Sequence, residues 1–394
     1  MLIQKTKLWF KFFLNVKINF KYPKKTKILI VDNEGSKEIK KILNIRNCEI
    51  LHTRHESFSL PILLILLIKF ELTILNYYKK YIELSDPKLI VTFIDNNTMF
   101  YKLKNHFKEK KFLAIQNGHR MAFGDIFGFF RDYKPKKKNF SSDFIATFNK
   151  SISLKYEKYI NTNFIYSGSI KNNYIKISNP KKKYNNYILY ISAYREKLKK
   201  IQNGELSLND FEIRHKTKHK NYLEEHIHFE LPRFLQTYCE RNNLKLAILG
   251  MSNTDEEKNF YKKIINNDFK FIEKINVYSS YKNLDNYNMV VSSISTLGYE
   301  ALSRGNKICF FVPKISSIEK SYNFGWPSIN KKKGFFFSNK CNYLEVSKIL
   351  DNIRSMKSSD WKKKIGFYQK KLMIYDKNNF LIKKKISNIL SKNL

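Results

Sequence analysis

The chain has 394 residues, a formal net charge of +40, 43% hydrophobic residues and 15% aromatic residues. The apolar content excludes a globally disordered chain, and the length favours two domains over one small core. The positive charge suits nucleic acid, an anionic membrane surface or phosphorylated substrates. However, lysine and arginine are spread along the whole chain, which a compositionally biased genome would also produce.

The sequence offers no disulfide framework and no metal motif. None of its four cysteines forms a CxxC pair, so we expect reduced core cysteines of a cytosolic protein. The histidine pairs at residues 52 and 55 and at residues 226 and 228 lack the HExxH spacing, so we predict no metal site. Residues 1–20 have no signal-peptide cleavage site, and the apolar run 60–68 is far shorter than the ~20 residues that span a bilayer.

In chain order, apolar runs of strand length alternate with helical patterns. The first series predicts strands at 27–31, 48–51, 89–94, 112–116, 144–147 and 164–166, and helices at 37–43, 60–83 and 98–107. The second series predicts strands at 187–192, 244–249, 289–291 and 307–312, and helices at 222–242 (interrupted by Pro232), 256–265 and 297–304. Such alternation is typical of parallel sheets covered by helices.

This pattern predicts an α/β protein with two domains of similar size. We place a basic and aromatic N-terminal segment at 1–26, the first domain at 27–178, the second at 186–360 and a basic helical tail at 361–394. The polar stretch 172–186, which contains Pro180 followed by three lysines, is the predicted linker. Ligands of open parallel sheets bind beyond the carboxyl ends of the strands, so the polar residues there are the candidate site.

The turn after the strand at 289–291 is the strongest local signal. Ser292, Ser293, Ser295 and Thr296 precede a helix start, where unpaired N–H groups and a partial positive charge favour a phosphate. Glu300, one turn into that helix, could accept hydrogen bonds from ribose hydroxyls. The alternative is that one serine merely caps an ordinary helix.

Several strand ends together resemble a known group. The motifs are IDNN (94–97), QNGH (116–119), GSIKNN (168–173), SSISTLGYEA (292–301) and FGWP (324–327). Their order and context resemble bacterial surface-carbohydrate (O-antigen) biosynthesis transferases over roughly residues 27–361. That group is similar to glycosyltransferases of the GT-B fold, which implies two Rossmann-like domains with a cleft between them.

The group is also similar, more distantly, to transferases that use CMP-sugars, where paired Ser/Thr residues contact the donor phosphate. The His-Pro pair common in those enzymes is absent, as is the GxGxxG fingerprint of dinucleotide enzymes. The donor base is therefore left open.

The resemblance implies a metal-independent glycosyltransferase that needs no cofactor and uses a nucleotide-sugar, with a CMP-sugar as one candidate. The implied donor-binding residues are Ser292, Ser293, Ser295, Thr296, Gly298, Glu300, Ser192 and Arg195. The implied acceptor-side residues are Asn96, Asn97, Gln116, Asn117, Arg120 and Glu34. Lys171 is a further candidate for contacting phosphates.

The catalytic base is expected at a strand end of the first domain. His119 has a side-chain pKa suited to accepting a proton near neutral pH, and Asp95 is the other candidate. The alternatives are that His119 is a plain surface residue and that Asp95 caps the following helix. Asp95 could also orient His119.

The implied partners are a nucleotide-sugar donor, a lipid-linked or saccharide acceptor and an anionic membrane surface, with no nucleic acid. We expect a cytoplasmic protein, peripheral on the inner face of the cytoplasmic membrane. Alternatives of the same fold are a polyol-phosphate transferase and a sugar-nucleotide epimerase. A basic nucleic-acid-binding protein and a non-catalytic membrane-surface scaffold are alternatives from other classes.

Overall fold

The computed structural model describes residues 17–54, 56–121, 125–178, 184–203, 223–252, 254–265, 268–293, 295–312, 324–329 and 331–391. The chain forms two compact units. The first comprises the described residues of Met1–Asn117, Asp125–Tyr174 and Asp376–Leu394, and the second those of Gly118–Gly124 and Ile175–Tyr375. Most of the basic N-terminal segment, residues 179–183 of the predicted linker and His55 lie outside the described residues. The ends of the predicted linker are not loops, since residues 172–174 are helical and residues 184–186 belong to a strand.

From residue 17 to residue 174 strands and helices alternate. The strands are β1 (Lys17–Asn19), β2 (Ile28–Val31), β3 (Glu49–Leu51), β4 (Ser57–Ser59), β5 (Leu89–Thr92), β6 (Lys111–Ile115), β7 (Ser141–Thr147) and β8 (Asn161–Tyr166). The helices are α1 (Ser36–Leu43), α2 (Leu60–Ile68), α3 (Ile74–Ser85), α4 (Thr98–Lys104), α5 (Ile126–Tyr133), α6 (Lys150–Tyr156) and α7 (Ile170–Tyr174).

The rest of the chain repeats this alternation. The strands are β9 (Tyr184–Ile191), β10 (Lys245–Leu249), β11 (Phe269–Ile272), β12 (Tyr287–Ser292), β13 (Ile308–Phe311) and β14 (Phe337–Ser338). The helices are α8 (Glu196–Gln202), α9 (Leu223–Arg241), α10 (Asp255–Ile264), α11 (Ser279–Asn286), α12 (Thr296–Ser303), α13 (Tyr343–Ser355), α14 (Ser358–Leu372) and α15 (Phe380–Ser391). Lys137–Asn139 and Lys377–Asn379 are short 3-10 helices.

The first unit contains a parallel sheet with the strand order β3, β2, β5, β6, β7, β8. Every residue of β2 and β5 is buried, because helices cover both faces of the sheet. The chain reverses its direction of travel across the sheet between β2 and β5. Strands β1 and β4 form a separate parallel pair in the same unit.

The second unit contains a parallel sheet with the order β11, β10, β9, β12, β13, β14. Counted within the unit this is 3-2-1-4-5-6, the strand order of the Rossmann fold, with the reversal between β9 and β12. The α/β class and the two Rossmann-like units predicted from the sequence are confirmed.

Two details of the predicted helices are wrong. The helix expected over 60–83 is two helices, α2 and α3, separated at residues 69–73, where Phe70 has a left-handed φ of 55°. Helix α9 continues through Pro232 instead of being interrupted there.

The tail after residue 361 is divided between the units, with α14 in the second and α15 in the first. Asn173 ties the end of the chain to the first unit, since its side chain accepts a hydrogen bond from the Asp376 N–H (3.0 Å) and donates one to Asn379 Oδ1 (3.0 Å). Within the described part of the chain, no helix is long and apolar enough to cross a membrane.

Candidate functional site

The reversal point of the second sheet brings together the carboxyl ends of β9 and β12. Ser292 ends β12, Ser293 follows it, and helix α12 begins at Thr296. Ser192 follows β9 directly. The general rule for open parallel sheets makes this edge the expected ligand site of the unit.

Two hydroxyls at this edge have unused hydrogen-bonding capacity. Ser292 and Ser293 are both at most 1% exposed, and neither side-chain oxygen has a partner among the described residues. A buried hydroxyl without a partner costs about 1–3 kcal/mol, and such groups are rare in folded proteins. A bound ligand that hydrogen-bonds to them would remove this cost.

The other two hydroxyls of the turn are already used. Ser295 caps α12, since its side chain accepts a hydrogen bond from the Leu297 N–H at 3.3 Å. This is the capping alternative foreseen for one serine of the turn. Thr296 Oγ1 accepts a hydrogen bond from the His119 N–H at 2.9 Å.

Gly298 allows α12 to lie close against the sheet. A Cβ at this position would stand 2.5 Å from Ser292 Oγ and 2.9 Å from the Phe310 ring, closer than atoms can approach. The missing side chain therefore faces β12 and β13, so Gly298 determines the position of the helix start. It supports the site through packing, the role of a close-contact glycine in a strand–helix unit.

Ser192 and Glu300 are held by their own chain. The Ser192 hydroxyl donates to Glu257 Oε1 at 2.5 Å, lies 2.9 Å from the Tyr261 hydroxyl and accepts from the Tyr194 N–H at 3.1 Å. Glu300 is 4% exposed and accepts a hydrogen bond from the Tyr281 hydroxyl at 3.0 Å. Neither side chain has the unused hydrogen-bonding capacity of the Ser293 hydroxyl.

Arg195 supplies an available positive charge near the same edge. It lies four residues after the end of β9, is exposed and has neither an ion pair nor a hydrogen bond with the described residues. Arg120 belongs to the same unit but is 6% exposed and has polar contacts within the protein. Arg195 is therefore the better placed of the two for a phosphate.

His119 lies in the second unit, which corrects its predicted place in the first domain, and it contacts α12 in two ways. Besides the hydrogen bond from its N–H to Thr296, its ring stacks on Tyr299 with centroids 4.2 Å apart and planes 13° from parallel. Tyr299 in turn stacks on Phe324 and accepts a hydrogen bond from the Gly325 N–H at 3.3 Å. Desolvation by burial, together with the charge of Arg120, lowers the pKa of His119 to about 4. The near-neutral pKa predicted from the sequence is therefore wrong: the imidazole is neutral at pH 7 but is a weaker base than predicted.

Asp95 lies in the first unit and is fully buried. Its carboxylate accepts hydrogen bonds from the Asn117 N–H (3.1 Å) and from the Tyr156 hydroxyl, and its carbonyl accepts one from Tyr101. Asn97, not Asp95, caps α4, which overturns the capping alternative for Asp95. The carboxylate holds the loop after β6 in place.

The other acceptor-side residues are spread along the first sheet edge. Asn96 is exposed, Asn97 is used as a helix cap, and Asn117 is half-buried. Gln116 is buried and accepts a hydrogen bond from the Phe148 N–H at 2.9 Å. Glu34 is exposed and pairs with Arg54.

The predicted acceptor-side residues do not include a buried acid at this edge. Asp32 follows β2, is 2% exposed and accepts hydrogen bonds from Thr53 Oγ1 (2.9 Å) and Arg54 Nε (3.0 Å). The hydrogen bond to Asp32 raises the pKa of Arg54. Thr53 and Arg54 follow β3, whose end at Leu51 agrees with the strand predicted at 48–51, but their contacts with Asp32 join residues 21 and 22 positions apart in the chain.

Comparison with known protein families identifies a matching family. Residues 113–390 match the family described as "putative O-antigen biosynthesis protein". The match covers more than half of the chain. The chain belongs to this family. The resemblance found in the sequence motifs is thus confirmed, while no curated protein matches the sequence.

Among solved structures, three similar chains have wall teichoic acid or UDP in their descriptions. The wall teichoic acid polymerase TagF is 10% identical over 93% of this chain and 88% of its own, with a TM-score of 0.46. S. aureus MnaA in complex with UDP is 14% identical over 92% and 95% of the two chains, with a TM-score of 0.47. S. aureus TarM with UDP is 14% identical over 81% of this chain and 59% of its own, with a TM-score of 0.45.

In this member of the family, three of the motifs quoted above meet at α12. His119 of QNGH contacts Thr296 and Tyr299 of STLGYEA, and Tyr299 contacts Phe324 of FGWP. The ring stack was not predicted, because its members are distant in the chain. Across the described part of the molecule, no cluster of three or more His, Cys, Asp or Glu could hold a metal ion.

Proposed function

We propose that the protein is a GT-B-type glycosyltransferase that transfers a sugar from a nucleotide-sugar to a growing surface polysaccharide. The observation that carries the proposal is the unused Ser293 hydroxyl beside the start of α12, at the reversal point of a sheet with Rossmann strand order. This arrangement favours the phosphates of a nucleotide. Membership of an O-antigen biosynthesis family supplies the polymer context.

In the proposed reaction, a hydroxyl of a saccharide or lipid-linked acceptor attacks the anomeric carbon of the donor sugar. The bond from that carbon to the phosphate oxygen breaks, and the nucleotide leaves with the electron pair. The N-terminus of α12, the Ser293 hydroxyl and Arg195 meet the charge that develops on the leaving phosphate. With these groups in place we propose that no metal ion or cofactor is needed, so turnover should survive a chelator.

His119 is the proposed base. Its imidazole is neutral at pH 7, and the Thr296 hydrogen bond and Tyr299 stacking fix its position beside the start of α12. It would take the proton of the acceptor hydroxyl as the new glycosidic bond forms. The buried Asp95 orients the loop that leads to His119 through its hydrogen bond to the Asn117 N–H.

A panel of CMP, CDP, UDP, GDP and their sugars, read by thermal shift, tests the proposal. A ligand at 100 times its dissociation constant stabilises a protein by about 2.7 kcal/mol, which is readily measured. We expect one nucleotide series to stabilise the protein and its sugar to be transferred. Stabilisation by none of them would refute a nucleotide-dependent function, whereas transfer of a polyol phosphate or epimerisation of the bound sugar would select one of the same-fold alternatives.

We also propose that the enzyme works at the inner face of the cytoplasmic membrane without nucleic acid as a partner. One support is the +40 charge, which favours an anionic membrane surface. The other is the lipid-linked acceptor, one of the two proposed acceptors, which would be held in the membrane. Tight binding to single-stranded DNA in competition with heparin would contradict this.

A further inference from the structure

Helix α2 of the first unit is apolar on all sides but only partly covered by the protein. Its sequence is LPILLILLI, and only Ile62 and Leu66 are buried. These two residues, one helical turn apart, form the stripe that faces the core. A helix that is apolar all round is normally covered on all sides by a protein core or by lipid.

The exposed apolar surface continues into the connection to α3. Phe70 is 97% exposed and Ile68 is 75% exposed. We define the apolar surface as the exposed apolar residues of this segment: Leu64, Leu67, Ile68, Phe70, Leu72 and Ile74. Six such side chains within eleven residues are far more concentrated than the single exposed apolar residues that soluble proteins tolerate.

A second group of exposed apolar and aromatic residues lies near the start of α2. Strand β1 pairs with β4, which leads directly into α2, and the Ser59 hydroxyl donates a hydrogen bond to the Lys21 carbonyl at 2.9 Å. The residues beside this contact include Ile18, Phe20 and Tyr22, and all three are exposed.

Both segments are firmly anchored to the unit. The Ser59 N–H donates to the Tyr77 hydroxyl at 2.8 Å, and the Tyr77 ring packs edge-on against Phe58 at 4.9 Å. The Tyr81 hydroxyl bonds to the Glu49 side chain and to the Ile50 carbonyl, both at 3.0 Å. The exposure of the apolar surface is therefore a feature of well-packed elements.

The charges around the apolar surface have one sign. Residues 17–25 and 60–79 contain six lysines and a single glutamate. Lys17, Lys21 and Lys69 are exposed and form no ion pair with the described residues. Aliphatic and aromatic side chains bordered by lysines are typical of segments that lie in the interface of an anionic membrane.

We propose that the apolar surface inserts into one leaflet of an anionic lipid bilayer, with the neighbouring lysines at the level of the headgroups. Nine residues of helix extend about 14 Å, well short of the ~30 Å hydrocarbon core, so α2 lies in the interface and does not cross it. The proposal rests on the proposed function in one respect, because it explains how the enzyme reaches a lipid-linked acceptor.

Vesicle flotation of the full-length protein tests the proposal. The probes are phosphatidylcholine vesicles with and without phosphatidylglycerol. We expect the Leu67→Gln/Ile68→Gln/Phe70→Gln triple variant to bind the anionic vesicles more than about tenfold more weakly. The reason is that each substitution removes an apolar side chain that would be buried in the lipid. Changing Lys21 or Lys69 to Gln should weaken binding about fivefold each.

A matched control carries the same substitutions elsewhere. Ile275, Leu344 and Phe367 of the second unit are 79%, 80% and 58% exposed. Their triple Gln variant should bind vesicles like the wild type. Equal binding by both triple variants would overturn the proposal, as would a wild-type protein that ignores vesicles but self-associates through residues 67–70.

The depth of insertion gives a second readout. Tryptophan emission of Phe70→Trp should shift to the blue on anionic vesicles and be quenched by brominated lipid, whereas Ile275→Trp should not respond. No response of either variant would contradict insertion even if salt-dependent binding persists. Nucleotide binding by the same variants, measured by thermal shift, separates failure of this proposal from failure of the proposed function.

Discussion

The carboxyl edges of the two sheets differ in the hydrogen-bonding capacity that their polar side chains retain. Both edges contain side chains held by their own chain, which in the second unit include Ser192, Ser295 and Glu300. At the edge of the first unit, Asp95, Gln116 and Asn97 all hydrogen-bond to their own chain. At the edge of the second unit, the Ser292 and Ser293 hydroxyls have no partner in the described structure, and Arg195 forms no ion pair with the described residues. The first edge is thus built for rigidity, while the second has hydrogen-bonding capacity left for a ligand.

This difference gives the two edges different expected responses to mutation. Removing a group that is already hydrogen-bonded leaves its buried partners unsatisfied and lowers stability. Removing a hydroxyl that has no partner costs little stability, and its effect should be seen in ligand binding instead. Substitutions at the two edges can therefore separate side chains that contribute to protein stability from side chains that contribute to ligand affinity.

The largest expected effect is on turnover, at His119. His119→Ala should lower kcat by about 10²–10⁴-fold with little change in donor affinity, because the base acts only as the bond forms. His119→Gln, which keeps the size and polarity of the side chain, should be equally slow. Near-normal turnover in His119→Ala together with its loss in a folded Asp95→Asn variant would transfer the role of base to Asp95.

The next effect is on stability, at the first edge. Asp95→Ala should lower the free energy of unfolding by about 2–4 kcal/mol, because the Tyr156 hydroxyl and the Asn117 N–H lose their acceptor. Denaturant unfolding measures it. A stable Asp95→Ala protein would show that this edge does not depend on its internal hydrogen bonds.

Stability should also depend on pH through a buried histidine of the second unit. Desolvation, together with the charge of Arg195, lowers the pKa of His228 from 6.5 to about 3. Below pH 6.5 His228 binds a proton in the unfolded chain but stays neutral in the folded state. The free energy of unfolding therefore falls as pH drops from 6.5 towards 3. The slope is about 1.4 kcal/mol per pH unit for this one group. His228→Gln should flatten the curve of unfolding free energy against pH in this window; an unchanged slope would assign the dependence to other groups.

Most strands of the two sheets were predictable from the sequence because they are short apolar runs. Two strands of the second sheet were not predicted: β11, which is only partly buried, and β14, which has two residues. Runs such as ILIV in β2 and ICFF in β13 are too short for a buried helix and rich in strand-forming residues. The prediction failed at residues 69–73, where Phe70 adopts a left-handed conformation that no glycine or proline signals. The apolar pattern continues across the break, so the sequence alone favours one long helix.

The candidate site was predicted only in outline. Strand ends and the helix start are local features, and they correctly placed Ser292, Ser293 and Ser192 at one sheet edge. Which hydroxyls are already used depends on tertiary contacts, such as those of Ser192 with Glu257. The ring stack of His119 on Tyr299 joins residues far apart in the chain, a contact that no local pattern reveals.

The central claim is tested most directly by comparing two buried serines. Ser293 has no hydrogen-bond partner among the described residues, whereas Ser85 of the first unit donates to the Tyr81 carbonyl at 2.7 Å. We predict that Ser293→Ala weakens nucleotide binding by about 1–3 kcal/mol without lowering Tm, and that Ser85→Ala lowers Tm without changing the nucleotide Kd. Titration calorimetry and thermal unfolding of both variants provide the measurement. An unchanged Kd in a folded Ser293→Ala protein would contradict the assignment of the donor site to the second unit.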